Sequence, residues 1–474
     1  MTRGGDARIA LDPVMGLNRY FSAPTAREVI ALSSSTVNDL SFEAQHYLEA
    51  RYPHGPAHLQ EGRAYAKLLD ALRDRIREAY SLPRTIDVFF APSGTDLEYV
   101  GLAAVAGRMP QGIENHLLGA DEVGSGCIYS AAGAYFASET ALGTSVAPGQ
   151  PVAGLPPVYM SDSPVRCDEG RAYGSAALAG RMAATIDAAR VAGRAALVHV
   201  VHGSKTGLVQ PDLDEIDQLR ADCGEDATFV VDACQARITT RAVRDYLARG
   251  MIVFVTGSKF MGGPPFSGFA LLPEEMAARA APLAAGLATV FRRAEVPATW
   301  PGREICEDTG NPGLALRLEA ALFELSRFQA LPAERVRLVV REFAQACERL
   351  ARRMGMAIVA SAPADEPEKP LQKPIEMLTL ATLDLCHDYA GRATRQLSFD
   401  DAVTIHRALI DRGIRLGQPV RCVRQEDGSW GATLRIGLSM PQVVRLANLS
   451  DAEAAKWLTQ TMARIAGVLG PLLD

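Results

Sequence analysis

The sequence lacks the features that would place it outside the ordinary globular class. Its 474 residues hold only eight cysteines, and no two of them form a CxxC pair, so a zinc or dithiol motif of that type is excluded. No stretch reaches the ~20 apolar residues that cross a bilayer, so we expect no membrane partner. The 49 Lys and Arg against 55 Asp and Glu are not clustered, which argues against nucleic acid.

What is present is typical of a globular protein in a reducing compartment. Hydrophobic residues make up 48% and charged residues 22% of the chain, and the formal net charge is −6. The scattered cysteines predict reduced, mostly buried thiols, and no apolar run follows Met1, so we expect no signal peptide. We therefore predict a cytoplasmic protein, and the cysteine pattern suggests no metal site.

Short apolar runs alternate with helical patterns through the first 300 residues. Residues 61–80 place Leu68, Leu69, Leu72 and Ile76 on one helical face. This alternation predicts an α/β fold with a mostly parallel sheet. The predicted strands are 86–91, 195–201, 228–232, 251–256 and 267–272, and further helices are predicted at 96–109 and 212–221.

The pattern changes after about residue 300, where a smaller α+β domain is predicted. A long helix is expected at 335–354, followed by an exposed Pro- and charge-rich loop at 362–374. The predicted division is an N-terminal segment at 1–60, a large domain at 61–300 and a small C-terminal domain at 301–474.

Three short motifs follow predicted strands. In Pro92–Thr95 a Ser-Gly-Thr turn precedes a helix, and a helix N-terminus suits a phosphate, although an ordinary helix cap is the alternative. Asp232 ends a buried strand, where ligands bind in parallel sheets, but it could equally cap the next helix. Lys259 follows another strand among hydroxyls and glycines. A lysine in an apolar cleft loses its charge readily and can form a Schiff base, whereas a loop lysine is usually exposed.

Together these motifs resemble the fold-type I pyridoxal-phosphate enzymes, and particularly the class V aminotransferase family. That family includes aminotransferases, cysteine desulfurases, selenocysteine lyases and kynureninases. The resemblance covers roughly residues 60–450 and implies a mostly parallel seven-stranded sheet between helices, as in aspartate aminotransferase, with a small α+β domain. It also implies that the N-terminal segment packs near the active site, where His54 is a weak candidate.

The resemblance assigns roles residue by residue. Lys259 matches the lysine that holds pyridoxal 5'-phosphate covalently, and Asp232 matches the acid that pairs with the pyridine nitrogen. The remaining cofactor contacts that the match implies are Gln235 at the ring hydroxyl, and Gly94, Thr95, Thr256 and Ser258 at the phosphate.

Further matches imply a partner subunit and a substrate. Thr309, in Asp308–Pro312, resembles the loop that reaches the phosphate of the neighbouring subunit, which implies a homodimer with active sites at the interface; a plain turn is the alternative. Arg435 resembles the arginine that clamps the substrate α-carboxylate, although a structural ion pair would also explain it. Ser204, His202 and Lys205 are candidates for substrate contact.

The sequence departs from the family at the residue that stacks on the cofactor ring. A histidine or aromatic is usual there, but Gly124 or Ser125 takes the place, and Glu122 or Ser125 is then a candidate for proton transfer. The missing histidine counts against desulfurase chemistry. Desulfurases also need a mobile nucleophilic cysteine. Cys422 lies in the right neighbourhood, where Arg421 and Arg424 would favour its thiolate.

These matches predict an enzyme that acts at Cα of an amino acid or related amine. Lys259 would serve as the base at Cα, which contributes ~10²–10⁴-fold to the rate. Transamination is the first choice. The alternative is a β-elimination or C–S lyase that resembles a cysteine desulfurase and uses Cys422. A non-catalytic binding module is disfavoured because both Lys259 and Asp232 are present.

Overall fold

The computed structural model describes residues 1–33, 38–120, 122, 124, 126–361 and 375–473. The predicted loop at 362–374 and the candidate Ser125 lie outside the described residues. The strands are β1 Ile30–Leu32, β2 Asp87–Ala91, β3 Ile113–Leu118, β4 Val158–Ser163, β5 Ala195–His202, β6 Val209–Gln210, β7 Ala227–Ala233, β8 Ile252–Thr256, β9 Gly268–Leu272, β10 Ala357–Ile358, β11 Leu380–Asp384, β12 Ile414–Leu416 and β13 Thr433–Gly437.

Twelve α-helices are assigned within the described residues. They are α1 Phe42–Arg51, α2 Gly62–Ala79, α3 Leu97–Val105, α4 Cys127–Ala131, α5 Ser175–Val191, α6 Leu213–Cys223, α7 Thr240–Ala248, α8 Pro312–Gln329, α9 Ala333–Arg353, α10 Phe399–Asp411, α11 Met440–Ala447 and α12 Asp451–Leu473. None of these described helices is both long enough and apolar enough to span a bilayer.

The main sheet places the carboxyl ends of three motif-bearing strands at one edge. Its strand order is β2-β9-β8-β7-β5-β3-β4, with β6 paired to β5. Strands β4, β3, β5, β7 and β8 are mutually parallel, and β9 is antiparallel to both β8 and β2. Strand β2 therefore runs in the same direction as β7 and β8. The predicted α/β fold with a mostly parallel sheet is confirmed.

Apolar helix faces hold this sheet in place. The predicted face of α2 is buried, with Leu69, Leu72 and Ile76 fully inaccessible and Leu68 only 8% exposed. Burying a side chain of this size stabilises the fold by about 1.5–3 kcal/mol. On the other side of the sheet α3, whose nine residues are all buried, packs into a second core cluster with Phe254 and Trp300.

The C-terminal third forms a second, smaller sheet. Strands β10, β11 and β13 pair in antiparallel fashion, and β13 carries Arg435 in register with Thr382. The N-terminal strand β1 pairs in parallel with β12, so the first residues of the chain are joined to the C-terminal third. The domain boundaries at residues 60 and 300 stay a prediction.

Candidate active site

A cavity of about 230 Å³ opens at the carboxyl edge of the main sheet. Two groups of its lining residues differ in origin. The strand-end group follows β2, β7 and β8 and comprises Gly94, Thr95, Asp232, Thr256, Ser258 and Lys259. The remote group comes from distant parts of the chain and comprises Arg8, Tyr20, Gln418, Pro419 and Arg435.

Asp232 projects from the end of β7 because the strand before it is buried. Residues 228–231 are buried and apolar apart from Thr228, whereas Asp232 is partly accessible. Its Oδ1 accepts a hydrogen bond of 2.9 Å from the backbone N–H of Cys234. This bond fixes the carboxylate in the cavity, where it can pair with a protonated nitrogen.

Lys259 carries a partly buried amine into the same cavity. No described residue accepts a hydrogen bond from its Nζ or forms an ion pair with it. Its backbone is held instead: Asn38 donates its side-chain amide to the carbonyls of Ser258 and Lys259, at 3.2 and 2.7 Å. A rigid backbone with an unpaired amine suits covalent attachment of a carbonyl compound.

The turn after β2 offers an anion cradle next to the lysine. A Cβ on Gly94 would lie 2.9 Å from Thr256 Cγ2, so only glycine lets the turn approach this closely. Ser93 and Asp96 lock the turn, since Ser93 Oγ donates to Asp96 Oδ2 at 2.6 Å. The N-terminus of α3 then begins beside Thr95, with its free N–H groups available to an anion.

Gln235 and Arg435 contribute further polar groups. Gln235 Oε1 accepts a bond from Arg237 at 3.0 Å, and its amide nitrogen has no acceptor among the described residues. Arg435 donates to the carbonyls of Gln418 and Lys205, at 2.8 and 3.4 Å. Its Nη2 meets no acceptor within the described ranges. Arg435 can therefore bind a carboxylate.

The electrostatics of the cavity are dominated by burial of cations. Burial, with a smaller contribution from the charge of the nearby Arg435, lowers the pKa of the cavity-lining Lys205 to about 8. Burial also lowers the pKa of Arg435 itself to about 10. Both groups are cationic near neutral pH, so the cavity favours an anionic ligand.

A buried carboxyl and a histidine lie next to Asp232. Glu98 Oε2 is 3.5 Å from His199 Nε2, and both side chains are buried. Burial, with a smaller contribution from the charge of Asp232, raises the pKa of Glu98. Burial lowers the pKa of His199 to about 4, so this imidazole is neutral at pH 7.

Several predicted contact residues lie outside the cavity lining. Ser204 Oγ accepts the backbone N–H groups of Thr206 and Leu208, and His202 Nδ1 bonds to Tyr246 at 3.0 Å. Thr309 is exposed and its backbone bridges to Glu61, while His54 is exposed on the surface. Substrate or cofactor contact by these residues stays a prediction.

Gly124, one of the two residues predicted to stand in place of the stacking histidine, lines the cavity. Glu122 is committed elsewhere: it pairs with Arg166 at 3.1 Å and accepts from Thr206 at 2.8 Å. A proton-transfer role for it has no support from these contacts. The aromatic rings at the cavity are Tyr20 and Phe266, whose centroids are 5.8 Å apart.

Sequence reasoning missed Arg8, Tyr20, Asn38 and Phe266. Arg8 Nη1 donates to Thr95 Oγ1 at 3.5 Å across 87 residues of sequence. No local pattern around an isolated arginine or asparagine marks it as functional, so a single sequence had no signal for them. Among the described residues, no group of three or more metal-ligating side chains is assembled.

Comparisons with known proteins identify the fold. No family model matches the chain, and no curated protein does. Three solved structures are similar to it over most of their length. The apo cysteine desulfurase of Thermococcus onnurineus NA1 is 15% identical, with 94% of this chain and 95% of that chain covered and a TM-score of 0.54. The pyridoxamine-pyruvate aminotransferase of Mesorhizobium loti is 17% identical, with 94% of this chain and 98% of that chain covered and a TM-score of 0.52. A lysine-to-alanine mutant of C-DES, with glycine covalently linked to its PLP cofactor, is 15% identical, with 92% of this chain and 96% of that chain covered and a TM-score of 0.53.

Identities this low establish fold alone. The likeness spans both the main sheet and the C-terminal third, in agreement with the resemblance that the sequence motifs implied. This chain has the fold-type I architecture of the pyridoxal-phosphate-dependent enzymes.

Proposed function

We propose that this chain is a pyridoxal-phosphate-dependent enzyme that acts at Cα of an amino acid, with aminotransferase-type chemistry. The observation that carries the proposal is the amine of Lys259. It has no partner among the described residues, and it shares one cavity with the carboxylate of Asp232 and the Gly94–Thr95 turn. These are the three groups that such a cofactor requires.

The residues present fit this cofactor. Gly94 leaves room for a phosphate because a Cβ would already crowd Thr256 at 2.9 Å, and the N-terminus of α3 favours its charge. Asp232 could accept a hydrogen bond from a protonated ring nitrogen, and the amide nitrogen of Gln235, which has no acceptor among the described residues, could donate to a ring hydroxyl. Thr256 Oγ1 donates to the Cys234 carbonyl at 2.6 Å, so this hydroxyl ties the end of β8 to the segment that follows β7.

Each protein group then has a chemical task. Pyridoxal phosphate supplies an electron sink for the bonding pair released at Cα. Asp232, by its negative charge, would keep a proton on the ring nitrogen of a bound cofactor. The Lys259 amine would act as the base that removes the proton at Cα. Arg435 would bind the substrate α-carboxylate through its guanidinium group, which also lines the cavity.

The state of Cys422 supports transamination over the desulfurase alternative. Its thiol is 3% exposed and does not line the cavity. Burial raises the pKa of Cys422 to about 12, and Arg166 opposes this only in part. The expectation that Arg421 and Arg424 favour a thiolate is wrong, because their guanidinium groups stack on Phe399 and Trp430 and burial dominates.

The proposal includes a homodimer with active sites at the subunit interface, and a small-molecule amino acid as the substrate. Thr309 is exposed and lies three residues before the start of α8, so its side chain is accessible to a neighbouring subunit. We infer that the loop at 308–312 reaches the phosphate site of the partner subunit.

The test uses the purified full chain with added pyridoxal phosphate and borohydride. We expect a visible absorbance band and a reduced covalent adduct at Lys259, and a panel of amino acids should yield keto acids. Lys259→Ala should abolish the adduct and leave thermal unfolding unchanged, whereas the exposed Lys456→Ala should retain it. A chain that remains colourless would overturn the proposal. Sulfide release from cysteine that is lost in Cys422→Ala would establish the lyase alternative instead.

A further inference from the structure

We propose that Arg8, carried by the N-terminal segment, is a binding residue for the phosphate of the cofactor. The inference rests on the proposed function. None of the motifs implies it, since the motifs lie after residue 60 and the phosphate contacts they imply are in the strand-end group and at Thr309 of a partner subunit.

Arg8 reaches the Gly94–Thr95 turn directly. Its Nη1 lies 3.5 Å from Thr95 Oγ1, and it lines the cavity with Ser93, Gly94 and Thr95. A Cβ built on Gly126 would lie 3.1 Å from Thr95 Cγ2 and 3.7 Å from Arg8 Nη1, so the three groups meet at one point. A hydrogen bond as long as 3.5 Å is weak, so Nη1 remains available to a stronger acceptor such as a phosphate oxygen.

The guanidinium is held in one orientation before any ligand binds. Asp6 accepts from Nε and from Nη2, each at 2.7 Å, so these two donors are occupied and Nη1 points past Thr95. The guanidinium carbon lies 4.9 Å from the ring centroids of both Phe136 and Phe266. Pre-orientation of this kind removes much of the entropic cost of binding an anion.

The position of the segment is set by a buried arginine in α8. Arg317 is fully buried and donates to the carbonyls of Met1, Arg3 and Gly4, at 2.6–2.8 Å. It also donates to the carbonyl of Phe266, one of the two rings that hold Arg8. The N-terminal segment is thus tied to the cavity at two points, which is what a binding residue on a terminal segment needs.

The need for a charged donor at the phosphate favours the same assignment, although Asp6 offsets the net charge of Arg8. A bound cofactor phosphate carries nearly two negative charges, and one helix N-terminus supplies only about half a positive charge. The cationic side chains that line the cavity are Arg8, Lys205, Lys259 and Arg435. Lys259 is assigned to covalent attachment, and Arg435 contacts the carbonyls of Gln418 and Lys205. Arg8 is the one that contacts Thr95.

The test compares two ligands that differ only by the phosphate. The full apo chain is titrated with pyridoxal phosphate and with pyridoxal, and binding is followed by absorbance. We expect Arg8→Met to weaken pyridoxal phosphate binding by about 10–100-fold, the range for a charged hydrogen bond, and to leave pyridoxal binding unchanged. The exposed Arg19→Met should change neither affinity.

Equal weakening of both ligands would show a structural role and overturn the inference, as would no weakening. Arg8→Gln, which keeps a polar side chain that can bond to Asp6, should give the same selective loss if the methionine variant fails to fold. Inorganic phosphate should compete with pyridoxal phosphate less well in either variant than in the unaltered chain. Absence of pyridoxal phosphate binding by the unaltered chain would overturn the proposed function as well.

Discussion

The strand-end group and the remote group line one cavity but are positioned by different means. Residues of the strand-end group lie within a few positions of β2, β7 or β8, and buried apolar strands fix them. The remote group is held by long-range contacts, such as the backbone pairing of Gly417 with Arg435. In the proposed function, the strand-end group would supply the reacting groups at the edge of the sheet, and the arginines of the remote group would supply the charge that selects the ligand.

The largest expected effect breaks the strand-end group. Asp232→Asn keeps an oxygen that accepts from the Cys234 N–H but removes the negative charge. We expect kcat to fall by about 10²–10³-fold, the range seen when one electrostatic stabiliser of a reaction is removed. Cofactor content and thermal unfolding should stay unchanged, and the exposed Asp187→Asn serves as the control. Undiminished kcat would remove Asp232 from the proposed chemistry.

A smaller effect is expected from the remote group. Arg435→Met removes the charged donors offered to a substrate carboxylate, so KM should rise by about 10–100-fold with little change in kcat. Steady-state kinetics with the best amino acid of the panel measure both. The exposed Arg445→Met should leave KM unaltered. A loss confined to kcat would show that Arg435 does not select the ligand but takes part in catalysis.

The smallest expected effect is on the pH dependence of the free energy of unfolding, and it concerns the buried His202. Burial lowers the pKa of His202 to about 4, below the usual 6.5, so the unfolded state binds the proton first. Stability from the neutral imidazole is present above pH 6.5 and is lost as the pH falls towards 4. Between pH 7 and about pH 5.5 the free energy of unfolding should drop by about 1 kcal/mol for this histidine.

Urea unfolding at the two pH values measures this loss. His202→Gln retains a partner for the Tyr246 hydroxyl and should reduce the pH dependence by that amount. His46→Gln alters a histidine on α1 and is the control variant. If the free energy of unfolding of His202→Gln depends on pH as strongly as that of the unaltered chain, other buried groups, such as His199, account for the loss of stability in acid.

The strand-end group could be predicted because its signal is local. Asp232 and Lys259 each follow a buried apolar run, and strand direction brings both to the same edge of the sheet. Arg8 and Asn38 could not be predicted, since each acts more than 80 residues away from its partner. The prediction of a stabilised thiolate at Cys422 was wrong because the sequence positions of Arg421 and Arg424 do not determine where their guanidinium groups lie.

By itself, the sequence determined the layered α/β fold, because apolar periodicity records which face of each element is buried. It also determined the lysine, the carboxylate and the glycine turn that follow the strands. Tertiary structure alone decided which cation contacts the Gly94–Thr95 turn, and which hydroxyls already donate to the backbone. It also decided that the thiol of Cys422 is buried. Those outcomes depend on through-space contacts between segments, and such contacts leave no trace in the order of neighbouring residues.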